Sequence, residues 1–225
     1  MARALSPAAA GIGMTSERTR ARMVARLRAE GIADERVLAA IGAVPRHLFV
    51  DSALASRAYE DTALPIGFAQ TISQPYVVAR MIELLLAGRE PGRVLEVGTG
   101  CGYQAAVLAR IFPEVYSVER IKALLERARR NLLSLRLSNL RLAHGDGYAG
   151  LPAAAPFHSV IVAAAAPRVP EALARQLAGG GRMILPLAGA AGAQRLLLIE
   201  RSARGSLLQT ELDPVRFVPM EVGKA

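Results

Sequence analysis

Cysteine is nearly missing from this chain: Cys101 is the only one. That excludes an internal disulfide and any cysteine-based zinc site. His47, His144 and His158 are scattered without metal-ligand spacing, so no metal is expected. Tryptophan is absent and aromatic residues make up 4% of the sequence, which leaves no interleaved aromatics for stacking on nucleic-acid bases. No apolar run reaches the roughly 20 residues of a membrane-spanning helix. Residues 1–15, rich in Ala, Gly, Ser and Pro, lack the apolar stretch of a secretory signal. They are expected to form a disordered tail, with Met14 as an alternative natural start, followed by a single domain over 16–225. The expected compartment is the cytoplasm, with no membrane partner.

Hydrophobic residues are plentiful at 52%, enough for a sizeable core, and the formal net charge is +9. Basicity of this size permits nucleic-acid binding. Yet Arg120, Lys122, Arg127, Arg129 and Arg130 alternate with Ile121, Leu124, Leu125, Ala128 and Leu132 at helical spacing. That pattern reads as a solvated helix face, and no nucleic-acid partner is expected.

The chemistry gathers around Val94-Leu95-Glu96-Val97-Gly98-Thr99-Gly100-Cys101-Gly102-Tyr103. An apolar strand breaks into glycines, and a helix-competent segment follows from Gln104. Glycines let backbone approach a ligand, and a helix start offers unpaired N–H groups. The spacing Glu-x-Gly-x-Gly-x-Gly is similar to that of S-adenosylmethionine (AdoMet) methyltransferases, with Glu96 giving negative charge that a pyrophosphate would oppose. A dinucleotide site and a glycine turn without ligand stay open on this loop alone. Cys101 reads as a small side chain beside the ligand, since nothing nearby would lower its pKa.

Two further acids follow. Val115–Glu119 reads as the next strand, and Glu119 lies where a carboxylate accepts from ribose hydroxyls, although it could instead cap the helix starting at Ile121. Leu140–Ala143 leads into His144-Gly145-Asp146-Gly147, which places Asp146 on a sharp turn where it could accept from an adenine amino group. His144 reads as structural. Ligands bind at the carboxyl ends of strands in open α/β sheets, and all three acids fall there.

Elsewhere, Ser16 is expected to cap a helix reaching Ala29, and Asp34 a short one over Glu35–Ile41. Val44–Val50 reads as a turn and Tyr59–Gln70 as irregular. Pro75 opens a helix with Val77, Val78, Met81, Leu84 and Leu85 facing a core. A buried fourth strand is expected over Phe157–Ala165, then a helix over Val169–Leu177 stopped by Gly179-Gly180-Gly181. A fifth strand over Arg182–Leu187 precedes a terminal β pair, Gln194–Arg201 with Val215–Met220. Alternation of this kind implies a mainly parallel sheet with right-handed crossovers. Gln70-Thr71-Ile72-Ser73-Gln74-Pro75-Tyr76 brings hydroxyls, an amide and helix-start N–H groups together, a donor set that suits a carboxylate; Ser73 as a plain N-cap is the alternative.

These blocks, in this order, resemble the protein-L-isoaspartate O-methyltransferase family over nearly the whole chain. The resemblance rests on Val44-Pro45-Arg46 with Phe49-Val50, on Ala63-Leu64-Pro65-Ile66-Gly67, and above all on Thr71-Ile72-Ser73-Gln74-Pro75. It continues through Val94–Tyr103, Ser117-Val118-Glu119-Arg120, His144–Gly147 and Val215-Arg216-Phe217-Val218-Pro219. It implies a Rossmann-like α/β fold, a mainly parallel seven-stranded sheet with an antiparallel last strand and helices on both faces. It also implies methyl transfer from AdoMet to the α-carboxylate of L-isoaspartyl residues in damaged proteins and peptides, leaving S-adenosyl-L-homocysteine and starting repair through a succinimide.

Under the resemblance Ser73 is the active-site residue and, with Thr71, Val218 and Pro219, contacts substrate. Thr71, Ile72 and Ser73 also line the cofactor pocket. Glu96, Gly98, Thr99 and Gly100 hold the methionine end, Glu119 and Arg120 the ribose side, and Asp146 and Gly147 the adenine side. A monomer is implied. Phe68-Ala69 departs from the glycine-rich pattern expected before Thr71, and Ala163–Ala166 and Ala188–Ala193 are plainer than expected. Three rival readings fit less well. A nucleic-acid amino-methylating enzyme would carry an amide where Ala164-Ala165-Ala166-Pro167-Arg168 stands. A non-enzymatic AdoMet-binding module would not need Thr71 and Ser73, and a nicotinamide oxidoreductase fits the glycine spacing less well.

Overall fold

A computed structural model describes residues 11–189 and 192–225. Two helices come first, α1 (Glu17–Ala29) and α2 (Glu35–Ala43). The Ser16 hydroxyl accepts from Thr19 N–H and the Asp34 carboxylate from Arg36 N–H, so both expected caps are in place. Most of the expected tail lies outside the described residues; within its last part, Gly13–Thr15 make one 3-10 turn. The stretch expected to be irregular holds a hairpin, β1 (Leu64–Gly67) with β2 (Gln70–Ile72). Gly67 pairs with Gln70, which leaves Phe68-Ala69 as a two-residue loop with φ of 54° and 55°. Positive φ at both positions is the hairpin-turn conformation that Asn-Gly normally supplies, so the turn was hidden by its residue types. Helix α3 (Pro75–Leu86) follows, with proline in its first turn.

The sheet carries β3 (Arg93–Val97), β4 (Glu114–Glu119), β5 (Leu140–His144), β6 (Phe157–Val162), β7 (Leu177–Ala188), β8 (Gln194–Arg201) and β9 (Leu207–Pro214). Their order is β5-β4-β3-β6-β7-β8-β9. The pairings from β5 to β7 are parallel, while β7–β8 and β8–β9 are antiparallel. Helices α4 (Tyr103–Leu108), α5 (Lys122–Leu132) and α6 (Glu171–Gln176) make the crossovers. Alternation along β3 sends Val94 into one hydrophobic layer and Leu95 and Val97 into the other, so both faces are covered.

Three expected boundaries move. The glycines at 179–181 sit inside β7, where the register with β6 shifts, instead of ending a helix. Helix α6 is correspondingly short. The last strand is Leu207–Pro214, not Val215–Met220. The later segment is held by side-chain and bridge contacts: Phe217 N–H donates to Gln194 Oε1 at 2.6 Å, and Pro219 forms a parallel bridge with Ala165. Those apolar residues alternate because they dock against the sheet's end, which a strand pattern alone does not distinguish. Among the described residues no helix is long and apolar enough to cross a membrane.

Candidate active site

The carboxyl ends of β3, β4 and β6 open into a cavity of about 860 Å³ including its mouth, within the range of small-molecule sites. Thr71, Ile72, Ser73, Gly98, Thr99, Gly100, Glu119, Arg120, Gly147, Val218 and Pro219 line it. The expected residues come from segments far apart in sequence, and the topology brings them to one edge where the β3 and β6 crossovers diverge.

The glycine loop has the geometry its spacing implies. Gly98 and Gly100 have φ of 94° and 55°, values an L side chain rarely adopts. A Cβ at Gly98 would sit 3.4 Å from the Ala163 Cβ. Glycine therefore keeps this wall open on the cavity side. Gly98 N–H donates to Val118 O at 2.9 Å, tying the loop to β4. Cys101 is buried, and burial pushes its thiol up from the usual range, as befits a filler and not a nucleophile.

Glu96 departs from expectation. It is fully buried and does not line the cavity. Two residues before it, Val94 faces the layer packed by α3 and α4, and the period-two pleat sends Glu96 to that side, where Gln104 of α4 meets it. Its carboxyl accepts from the Ser117 hydroxyl and from Gln104 Nε2 at 3.1 Å. Burial raises its pKa to about 8 despite those bonds, so near neutral pH it is mostly uncharged. It cannot supply the negative charge first expected. It braces two cavity residues instead: Gln104 directly, and Thr99 through the 2.6 Å contact of Ser117 Oγ with Thr99 Oγ.

Glu119 lines the cavity at the end of β4. One of its oxygens accepts from Gly100 N–H at 2.8 Å and the other from Ile121 N–H at 2.9 Å. It thus stiffens the glycine loop and holds the turn into α5 at once, and each oxygen retains a further acceptor site. Arg120 lines the same wall but is held by Glu221 at 2.7 Å. Asp146 is not a lining residue. Its two oxygens accept from Tyr148 N–H and Gly223 N–H, both at 2.9 Å, so it secures the turn and the C-terminal segment, while Gly147 reaches the cavity. His144 is structural as expected, its Nε2 lying 2.9 Å from Arg120 O.

On the opposite side, β2 delivers Thr71 and Ile72, and Ser73 follows in the turn into α3. Ser73 does not cap that helix. Gln74 occupies the cap position without capping the helix through its side chain, and Asp61 reaches across to accept Tyr76 N–H at 2.8 Å. One helix-start donor expected to face a ligand is therefore taken, while the Ser73 hydroxyl has no hydrogen-bond partner among the described residues and lines the cavity. A second cavity, about 800 Å³ including open space, abuts the first. Thr71, Ser73, Ala163 and Val218 line both, and Gln74, Arg216 and Phe217 belong to the second. Sequence reasoning alone did not single out Tyr103 and Gln104 in the first cavity or Arg216 in the second. Tyr103 and Arg216 stood inside quoted motifs, but nothing in a motif says which of its side chains face a cavity.

Residues 18–225 match the family described as protein-L-isoaspartate(D-aspartate) O-methyltransferase. A protein-L-isoaspartate O-methyltransferase of Chromobacterium violaceum is 61% identical over 224 residues, covering 100% of both chains. One from Burkholderia pseudomallei is 60% identical over 212 residues, which is 94% of this chain and 66% of that longer protein. A solved protein-L-isoaspartate O-methyltransferase superposes with a TM-score of 0.81 at 31% identity, covering 91% of this chain and 67% of the other. A Plasmodium falciparum protein named for the same family, solved in complex with S-adenosyl-L-homocysteine, gives 0.80 at 24% identity, covering 90% and 98%.

Proposed function

Since the chain belongs to the protein-L-isoaspartate(D-aspartate) O-methyltransferase family, we propose that its two adjoining cavities hold AdoMet and an isoaspartyl peptide, and that Ser73 and Thr71 stand where the methyl group crosses. The observation that carries this reading is that Thr71, Ser73, Ala163 and Val218 line both cavities. A methyl donor and its acceptor must meet at such a shared wall.

The residues of the first cavity fit the cofactor. Glu119 offers acceptors to ribose hydroxyls, and the left-handed Gly98 and Gly100 keep the wall clear for its amino-acid end. Gly147 and Met220 line the same cavity and would face the adenine. Bound there, AdoMet supplies an electrophilic methyl group on a sulfonium; its C–S bond breaks as a C–O bond forms to the isoaspartyl α-carboxylate, leaving a methyl ester and S-adenosyl-L-homocysteine.

The chain's own work is positioning. A carboxylate with a reference pKa near 4 is already ionised at neutral pH, so no general base is required. The Ser73 hydroxyl donates to the carboxylate oxygen that does not attack and thereby aims the other at the shared wall. Ile72, Val97 and Val118 present apolar surface on the cofactor side and limit water around the nucleophile. Val218 is fixed for this task because its carbonyl accepts Ala165 N–H at 2.8 Å. The adjacent backbone amide nitrogen then attacks the ester carbonyl and expels methanol, a better leaving group than the hydroxide of the free acid, closing a succinimide that water can reopen to normal aspartate. The reading takes the chain to act as a monomer in the cytoplasm on damaged proteins, with no nucleic-acid or membrane partner.

The test is methyl transfer from labelled AdoMet to two synthetic peptides that differ only in isoaspartate against aspartate. Base-labile label in the isoaspartyl peptide alone is expected. AdoMet binding with no label in either peptide would contradict the proposed acceptor.

A further inference from the structure

Beneath Ser73 lies a buried cation that the reaction outlined above does not use. Arg46 follows Pro45 in a 3-10 turn and is 0% exposed. Its Nε donates to Ala58 O at 2.8 Å and its Nη2 to Ser73 O at 2.8 Å. The guanidinium carbon stands 4.7 Å from the centroid of the Tyr103 ring, and Tyr103 is itself a wall of the first cavity. Arg46 Nη1 and the Tyr103 hydroxyl are both buried and complete no well-formed hydrogen bond among the described residues; they interact with each other, a cation with a neutral hydroxyl. No carboxylate among the described residues lies within ion-pair distance of Arg46. Asp61 acts on it only at longer range and is committed to Tyr76 N–H and Gln74 Nε2.

A buried guanidinium without a counter-ion is costly to keep, and the ring face of Tyr103 compensates only part of that cost. The two carbonyl bonds do not account for it, since a neutral amide could donate to either carbonyl. What the fold leaves open is a negative charge, and the residue that Arg46 grips is Ser73.

We propose that Arg46 is a positioning residue for the acceptor: it fixes the Ser73 backbone through the carbonyl bond, and its unpaired charge is the counter-charge that an isoaspartyl α-carboxylate meets at Ser73. This rests on the methyltransferase reading. It divides the labour at the site, because the orientation of Ser73 and the attraction of the carboxylate then come from one buried side chain, reached from the opposite side of the turn.

The experiment compares Arg46→Gln and Arg46→Lys with the wild type, reading AdoMet Kd by calorimetry, peptide KM and kcat by labelled methyl transfer, and thermal midpoints. Arg46→Gln is expected to raise the isoaspartyl-peptide KM about 10- to 100-fold, the range for losing a hydrogen-bonded charge, with AdoMet Kd within about threefold of wild type. Arg46→Lys, which keeps the charge but not the fork, should recover most of that loss. Equal damage in both variants, or parallel loss of AdoMet and peptide, overturns the proposal in favour of a purely structural arginine. If Arg46→Gln does not fold, the wild type carries the test through a peptide with an α-carboxamide in place of the carboxylate. That peptide should compete roughly tenfold or more weakly than the isoaspartyl peptide, also in Arg216→Gln, which removes the other arginine of the groove; equal competition overturns the proposal. Wild-type turnover of the isoaspartyl peptide is the control, and its absence defeats the methyltransferase reading whatever the Arg46 variants do.

Discussion

The proposed cofactor side and the proposed acceptor side of this cleft are built from different materials. On the cofactor side, backbone does the shaping: Gly98 and Gly100 turn at positive φ, and Glu119 locks the loop through Gly100 N–H at 2.8 Å. Its acids are mostly engaged inward, since Glu96 braces Gln104 and Asp146 holds Gly223 N–H. On the proposed acceptor side, separate segments converge: Thr71 and Ser73 from the hairpin and the turn after it, and Val218 from beyond the last strand, with buried Arg46 holding the Ser73 carbonyl from behind. One side is a local motif with a ligand-shaped backbone. The other exists only once the chain is folded, which suits a wall that must admit isoaspartate in many different peptide contexts.

This contrast can be broken most severely at Glu96. Its folded pKa of about 8 stands above the usual 4.5. The folded state therefore holds a proton that the unfolded chain releases, so this contribution to stability is complete below the unfolded value and is lost as pH rises toward 8. By linkage the ceiling on that loss is about 5 kcal/mol. Glu96→Gln keeps a neutral group in place, so urea unfolding should show the variant several kcal/mol more stable than wild type at pH 9 and similar at pH 5. An equal difference at both pH values would mean that Glu96 is ionised in the folded protein and that the cofactor side does carry its charge.

Gly98→Val comes next. A β-branched residue at φ of 94° is strained, and its side chain would stand against Ala163 on the cavity wall. AdoMet affinity should fall on the order of 100-fold by calorimetry. Retained affinity would show that backbone shape does not govern this side. The mildest perturbation lies at the hairpin tip, where Ala69 holds φ of 55°. Ala69→Gly should relieve about 1 kcal/mol of strain and raise the thermal midpoint by a few degrees. A lowered midpoint would show that the tip is held by contacts and not tolerated as strain.

The same contrast explains what could be read in the sequence. The glycine spacing, the acids at strand ends and the alternation of strands and helices are local signals, and each led to the observed sheet edge. Whether a carboxylate faces a ligand or the protein is not local, and Glu96 and Asp146 show it. One is turned toward α4 by the pleat of β3, and the other is claimed by a backbone N–H 77 residues away. Ser73 was legible only through the resemblance of its block, because nothing in Thr-Ile-Ser-Gln-Pro reveals that Asp61 takes the helix-start N–H of Tyr76 and leaves the serine hydroxyl to the cavity. The hairpin before it was obscured because Phe68-Ala69 adopts a turn usually written with Asn and Gly.

The central claim is that the two sides act separately on two ligands that meet at Ser73. The measurement that addresses it most directly is AdoMet Kd, with isoaspartyl-peptide KM and kcat at saturating AdoMet, for Glu119→Gln and Ser73→Ala. Glu119→Gln is expected to weaken AdoMet roughly tenfold and to leave peptide KM within about twofold, whereas Ser73→Ala should impair kcat or peptide KM roughly tenfold and leave AdoMet Kd unchanged. Equal losses of both ligands in both variants would contradict it.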